Sequence, residues 1–134
     1  MASYKAPRRD MQFLLHEVLG AEAFYQKYQV TEDLDRDTMD AVIEEGAKFA
    51  ENELSPLFQV GDQGCVFKDG VVTTPKGFKE AYQKFVEGGW AGLAADVELG
   101  GQGLPNLLGV VMSEMMGAAN WSWAMYPGLS HGAI

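Results

Sequence analysis

The residues of this chain that could carry chemistry are few and scattered. Glu114 is the one Asp, Glu, Lys or Arg in the apolar stretch after Leu104, where a carboxylate could act as a general base or orient a ligand. His16 and His131 lie far apart without neighbours at metal-ligand spacing, and Cys65 is the only cysteine. The sequence therefore predicts neither a metal site nor a catalytic nucleophile. A carboxylate at the edge of a helix is the favoured interpretation of Glu114.

A glycine-rich loop, Gly100-Gly101-Gln102-Gly103, could in principle cradle phosphate groups. Its spacing matches neither G-x-G-x-x-G after a strand nor G-x-x-x-x-G-K-[ST]. No Lys or Arg follows Lys84, so the segment offers no cation to neutralise a phosphate. A structural turn before a helix is therefore the favoured interpretation of the loop.

Methionine and tryptophan side chains are concentrated near the carboxyl end of the chain. Because methionine adapts to irregular apolar shapes and tryptophan offers flat walls, the cluster could line a pocket for an aliphatic ligand. A core is the favoured interpretation of the same side chains, and the two can coexist because one side of a buried helix can face a cavity. The cluster consists of Met112, Met115, Met116, Trp121, Trp123 and Met125.

Helical periodicity predicts the elements that position these residues in the first half of the chain. We expect a helix over residues 8–19, ended by Gly20, and a second, short helix over residues 22–28. Asp35 is a predicted N-cap for an amphipathic helix that Pro56 either ends or bends.

The second half of the chain combines one hairpin with further helices. A tight hairpin is expected near residues 65–72, because Asp69-Gly70 suits a two-residue turn. Thr74 and Pro75 are expected to open a helix that carries Phe78, Ala81, Tyr82, Phe85 and Val86 on one stripe and stops at Gly88-Gly89.

A central helix should begin at Pro105 and run to about Ala119, since its side chains are apolar nearly all round. Pro127-Gly128 predicts a break or kink in the helical segment that follows. The predicted fold class is all-α, resembling a helical bundle, with one short β-hairpin near residues 65–72.

Composition limits the classes of partner. The chain has 134 residues and a formal charge of −9, which argues against binding to nucleic acid or to an anionic membrane surface. Its single cysteine and the absence of an apolar leader favour a cytoplasmic protein. Polar residues and prolines interrupt the most apolar run, so no membrane span is expected. The uncapped apolar ending at Ile134 suggests a piece of a larger protein that forms homo-oligomers.

Three motifs in order resemble those of the acyl-CoA dehydrogenase family. GGWAGLAADVELGGQGLP, then the helix bearing SEMM, then MYPGLSHGAI are similar to its N-terminal helical domain. The leading segment, YKAPRRDMQFLLHEVL, resembles the N-terminal extension of a long subgroup of the family. The resemblance therefore implies extension helices over residues 1–30 and a truncated N-terminal α-helical domain over residues 31–134.

The resemblance also implies a reaction for the parent enzyme. Family members are FAD enzymes that oxidise an acyl-CoA to the trans-2-enoyl-CoA, with a glutamate taking the α-proton and the flavin taking the β-hydrogen as hydride. Acyl-CoA and an electron-transfer flavoprotein are then the expected partners. The segment resembling T-E-P-x-x-G-S-D and the C-terminal domain with the catalytic glutamate are missing here. We therefore expect no catalytic residue and no bound FAD in this piece, and Glu114 takes no role from the family base.

By the same resemblance, the helix over residues 106–119 and the segment after it help to form the acyl pocket. The implied pocket residues are Met115, Met116, Ala119 and, more weakly, Trp123. The motifs assign no flavin-binding residue to this domain.

Two other functions remain compatible with the residues. One is a free-standing, non-enzymatic helical module for dimerisation or binding, which hides its apolar face against a partner. The other is a flavin monooxygenase or nitroalkane oxidase on the same scaffold. The sequence that follows Ile134 would distinguish these possibilities.

Overall fold

The computed structural model describes residues 3–28 and 34–132. The first helical segment is confirmed, but its geometry changes part-way along. Helix α1 (Arg8–Gln12) continues as a π-helical turn over Phe13–Val18, and Gly20 then adopts a positive φ of 57°. Helix α2 (Ala21–Tyr28) follows as expected. The predicted boundary between residues 30 and 31 lies outside the described residues.

Helix α3 (Arg36–Phe49) begins where the sequence predicts. The Asp35 side chain accepts a hydrogen bond of 2.8 Å from the Thr38 N–H and so caps the helix. The helical path continues through a π-helical turn (Ala50–Leu54) and a 3₁₀ turn (Ser55–Leu57) into α4 (Phe58–Asp62). Pro56 therefore changes the form of the helix without ending it.

The predicted hairpin is confirmed. Strands β1 (Val66–Lys68) and β2 (Val71–Thr73) pair antiparallel, with Phe67 opposite Val72. Asp69 and Gly70 have positive φ values of 51° and 79°, as a two-residue turn of this kind requires. All six strand residues are exposed, so the hairpin lies outside the core.

The prediction that Thr74 and Pro75 open a helix was wrong. Helix α5 (Phe78–Glu87) starts later, because Gly77 at its N-cap has a φ of 87°, a conformation that cannot continue a right-handed helix. Phe78, Ala81 and Phe85 are buried as expected, whereas Tyr82 and Val86 are exposed. Gly88 and Gly89 end the helix as predicted.

Helix α6 (Asn106–His131) confirms that the central helix runs to about Ala119, but it does not break at the second place predicted, Pro127-Gly128. Pro127 lies buried inside the helix, and the interruption falls at Asn120, whose φ of −162° and ψ of 89° are not helical. The expectation of a break at Pro127-Gly128 was therefore wrong. The physical reason is that the Asn120 side chain supplies hydrogen-bond partners at the interruption, as described below.

The core lies where α3 and α6 pack against each other, with α1 and α5 closing two sides. Gly46 permits the close approach, since a Cβ there would lie 2.7 Å from the Cε of Met115. The buried apolar side chains at the centre include Met11, Leu15, Met39, Ile43, Ala47, Leu54, Phe78, Phe85, Leu108, Met112, Met115 and Trp123. The all-α fold with one hairpin is confirmed.

Candidate functional site

The backbone N–H groups of the glycine-rich loop are hydrogen-bonded to nearby carbonyls, so none of them is free to bind a ligand. Five consecutive amides donate to carbonyls of residues 92–97 over 2.9–3.1 Å, and these donors belong to Gly100, Gly101, Gln102, Gly103 and Leu104. A phosphate cradle needs such amides unpaired and aimed at the ligand. The arrangement supports a structural turn.

The glycines of this loop meet two separate requirements. Gly100 and Gly103 have positive φ values of 84° and 64°. Gly101 has no room for a side chain, because a Cβ would overlap the backbone carbonyl of Ala95. The loop is thereby folded tightly onto residues 92–97 and directs the chain into α6.

A groove of about 750 Å³ lies between the outer face of α3 and the segment of residues 88–104. Buried Phe49 and Leu93, with half-buried Trp90, provide apolar walls. Its lysines are both paired, since Lys48 lies 2.7 Å from Glu45 and Lys84 lies 2.7 Å from Glu53. The groove therefore has apolar walls, and each of its two lysines is paired with a carboxylate.

The four residues predicted to line an acyl pocket lie together in the interior of the chain. Met115 and Trp123 are fully buried, and Met116 and Ala119 are 7% and 2% exposed. The Trp123 ring packs edge-on against Phe49 and Phe85, and its Nε1–H donates to the Phe78 carbonyl over 3.1 Å. None of the four lines the groove beside α3.

The remaining members of the methionine and tryptophan cluster divide between core and surface. Met112 is buried with the four, whereas Trp121 is 66% exposed and Met125 is 44% exposed. Leu129 is exposed on the same part of α6. The second half of α6 thus carries an exposed apolar surface, which we define as Trp121, Met125, Tyr126 and Leu129.

Asn120 orients that second half, and sequence reasoning missed it. Its Nδ2 donates to the Leu54 carbonyl over 3.2 Å, and its Oδ1 accepts from the Trp123 N–H over 3.1 Å. The first contact holds the break against the π-helical turn, and the second caps the new helical segment. The available signal was the strong preference of asparagine for N-cap positions.

The titratable residues that were singled out are not brought together. Glu114 is exposed on α6, as the helix-edge interpretation predicts, and His131 is exposed at its end. Cys65 is exposed and its Sγ lies 3.3 Å from the Tyr126 hydroxyl. His16 is buried, which the sequence did not indicate. Across residues 3–28 and 34–132, no three His, Cys, Asp or Glu side chains are grouped as metal ligands.

Similarity to known proteins agrees with the motifs and the fold. A family model described as acyl-CoA dehydrogenase, N-terminal domain, matches residues 36–134. The chain belongs to this family. The chain is 35% identical over 133 residues to 3-methylmercaptopropionyl-CoA dehydrogenase of Ruegeria pomeroyi, covering 98% of this chain and 22% of that protein. It is 31% identical over 131 residues to the broad-specificity linear acyl-CoA dehydrogenase FadE5 of Mycobacterium tuberculosis, covering 96% and 21%.

This acyl-CoA dehydrogenase domain thus spans about a fifth of the length of the curated relatives it matches. The family match begins at residue 36, yet both relatives align over nearly the whole chain. The helices before α3 are therefore included in the similarity to these relatives. Within the part of the chain that the structure describes, no helix is long and apolar enough to cross a membrane.

Proposed function

We propose that this chain is the N-terminal helical domain of an FAD-dependent enzyme that oxidises an acyl-CoA to the trans-2-enoyl-CoA. The family match over residues 36–134 carries the proposal. The names of both relatives support the substrate class, since each is called an acyl-CoA dehydrogenase. An electron-transfer flavoprotein is the proposed acceptor, on the strength of the family resemblance.

The contribution of this domain is proposed to be one wall of the acyl pocket. Met115, Met116, Ala119 and Trp123 would set the position of that wall from inside, because they fix α6 against the core. Trp121 and Met125 would face the acyl chain, since they are exposed on the same helix immediately beyond the Asn120 break. The domain would therefore bind and orient the substrate tail, and other parts of the whole protein would carry out the chemistry.

Neither the glycine-rich loop nor the groove beside α3 suits the pyrophosphate of FAD. The amides of the glycine-rich loop are all engaged, and Lys48 and Lys84 at the nearby groove are paired with carboxylates. FAD would supply the oxidant in the whole protein, and no described residue is assigned to hold it. We therefore propose that this chain alone binds no stoichiometric FAD.

Flavin absorbance tests whether the isolated chain carries out any of the chemistry. The isolated chain, mixed with FAD and an acyl-CoA without oxygen, is expected to leave the flavin oxidised. Free FAD with the acyl-CoA provides the blank, and the whole protein provides the positive control. Bleaching of the flavin by the isolated chain would overturn the proposal that other parts of the whole protein carry out the chemistry.

Steady-state kinetics on the whole protein test the pocket wall. Trp121→Ala is expected to lower kcat/KM for linear acyl-CoAs about 10-fold or more, because truncating a large aromatic contact removes substrate binding. Val110→Ala, at an exposed position in the first half of α6, is the matched control. If the whole protein oxidised neither linear acyl-CoAs nor 3-methylmercaptopropionyl-CoA, the proposed reaction would be refuted. If Trp121→Ala and Val110→Ala had equal kcat/KM values, only the proposed pocket wall would be refuted.

A further inference from the structure

The break at Asn120 divides α6 into two parts with different surroundings. The part before the break carries Leu108, Met112 and Met115, which are buried in the core. The part after the break carries the exposed apolar surface that includes Trp121 and Met125. The direction that the chain takes at the break therefore decides where this surface lies.

The amide of Asn120 fixes that direction. Its Nδ2 donates to the Leu54 carbonyl over 3.2 Å, and its Oδ1 accepts from the Trp123 N–H over 3.1 Å. The side chain is fully buried, so a different direction that broke either bond would leave a polar group without a partner or water. One side chain thus connects the end of the π-helical turn to the first turn of the new helical segment.

Helix α4 restricts the same break through a close steric contact. Gly61 is buried on α4, and a Cβ there would lie 3.3 Å from Asn120 Oδ1 and 3.1 Å from Ser122 Cβ. Both distances are tighter than ordinary van der Waals contact, so the glycine allows α4 to lie directly against the break. A hydrogen bond and a steric contact therefore determine the direction together.

We propose that Asn120 is a positioning residue that determines which lengths of acyl chain the enzyme accepts. The inference rests on the proposed pocket wall. Asn120 itself is buried and does not touch the substrate, so it acts by placing Trp121 and Met125. A long acyl chain reaches this wall and a short one ends before it, so the effect of Asn120 depends on chain length.

Kinetics of Asn120→Ser in the whole protein test the proposal. Serine is a good N-cap residue, but its shorter side chain loses the bond to Leu54. The substrates are linear acyl-CoAs from butanoyl-CoA to hexadecanoyl-CoA. We expect kcat/KM to fall about 10-fold for the longest substrate that the wild type oxidises, mainly through KM, and less than about 2-fold for the shortest. Equal losses for both substrates, or no loss for either, would overturn the proposal.

Two further variants separate positioning from a general loss of stability. Gly61→Ala retains the Asn120 amide but presses on the break, so it should also change the ratio of kcat/KM between long and short substrates. Gly100→Ala introduces an unfavourable backbone conformation in the loop before α6 and should leave the ratio unchanged. An equal change of the ratio in Gly100→Ala would overturn the proposal.

Hydrogen exchange in the whole protein gives a result that does not depend on the reaction. In Asn120→Ser, amides of residues 121–131 should lose protection about 10-fold relative to residues 106–119. Unchanged protection would overturn the positioning role. A wild-type protein that oxidised no acyl-CoA of the series would instead refute the proposed reaction, so the two failures are distinguishable.

Discussion

At the scale of single residues, two positions have requirements that Asn120 and Gly101 meet and that an alanine would not. Asn120 is fully buried and uses both ends of its amide, one towards Leu54 and one towards Trp123. Gly101 leaves no space for a Cβ beside the Ala95 carbonyl. Each position determines how α6 is entered or redirected, so each makes a sharp test of the structure.

Asn120→Ala is expected to destabilise the chain by about 2 to 4 kcal/mol, because it leaves the buried Leu54 carbonyl and the Trp123 N–H without partners. Urea unfolding, followed by tryptophan fluorescence, measures the change. Asn106→Ala, at an exposed position at the start of α6, should cost less than about 0.5 kcal/mol. Equal losses for the two variants would mean that the bonds of Asn120 do not hold the break.

Gly101→Ala and Gly100→Ala separate steric overlap from backbone conformation. Gly100→Ala should cost about 1 to 2 kcal/mol, because its φ of 84° is unfavourable for alanine although the space around it is open. Gly101→Ala should cost about 3 kcal/mol or more, because the loop must move away from Ala95. Thermal unfolding compares the two, and a smaller loss for Gly101→Ala would contradict the close approach.

At the scale of elements, the Glu51 carboxylate holds the segment that precedes α3. The Glu51 side chain, 7% exposed, accepts from the Ala6 N–H over 2.9 Å and from Lys5 Nζ over 3.0 Å, and Arg8 lies 3.4 Å away. Burial acts to raise the pKa of Glu51, but the Ala6 N–H, Lys5 and Arg8 outweigh it and hold the pKa below its usual 4.5. The ionised carboxylate therefore anchors the start of the chain.

Acid is expected to loosen this anchor. Because the folded pKa of Glu51 lies below the unfolded value, its contribution is complete above the unfolded value and is lost as the pH falls through the folded one. Glu51→Gln should cost about 1.5 to 3 kcal/mol at neutral pH and reduce the acid dependence. Urea unfolding at several pH values tests this. Glu80→Gln, at an exposed position on α5, is the control, and a matching pH profile for both variants would contradict the anchor.

At the scale of the whole molecule, several large apolar side chains face outward. Phe67, Leu99, Trp121 and Leu129 are each more than 60% exposed, on the hairpin, the segment before α6 and α6 itself. The formal charge of −9 opposes association through repulsion, which salt screens. The balance between these two effects should therefore depend on ionic strength.

We expect the isolated chain to form dimers or larger species in salt that screens its charge. Light scattering across a range of salt and protein concentrations measures this, and a clean monomer at high concentration and high salt would contradict it. Trp121→Gln should weaken the association, because it removes the largest side chain of the exposed surface on α6. Glu114→Gln, on the same helix, should leave it unchanged.

Local chemistry in the sequence predicted the elements that depend on few neighbours. Asp35 caps α3, Asp69-Gly70 turns the hairpin, and Gly88-Gly89 ends α5, since each depends on backbone conformations set within a few residues. The predicted start of α5 failed because Gly77 takes a left-handed conformation that the preceding Thr74 and Pro75 do not reveal. The family was predicted from the order of three sequence motifs and not from physical properties of the residues.

Only the tertiary structure decided what fixes the break after Ala119, which apolar side chains are core and that His16 is buried. The sequence predicted that the central helix ends near Ala119 and that a second break follows at Pro127. The first break is held because Leu54, 66 residues from Asn120 in sequence, lies within reach of the Asn120 amide, and the second is absent. Trp123 is buried and Trp121 exposed, although both belong to one apolar run. Periodicity reports that a helix has an apolar face, whereas burial and charge pairing depend on which distant segments pack against that face.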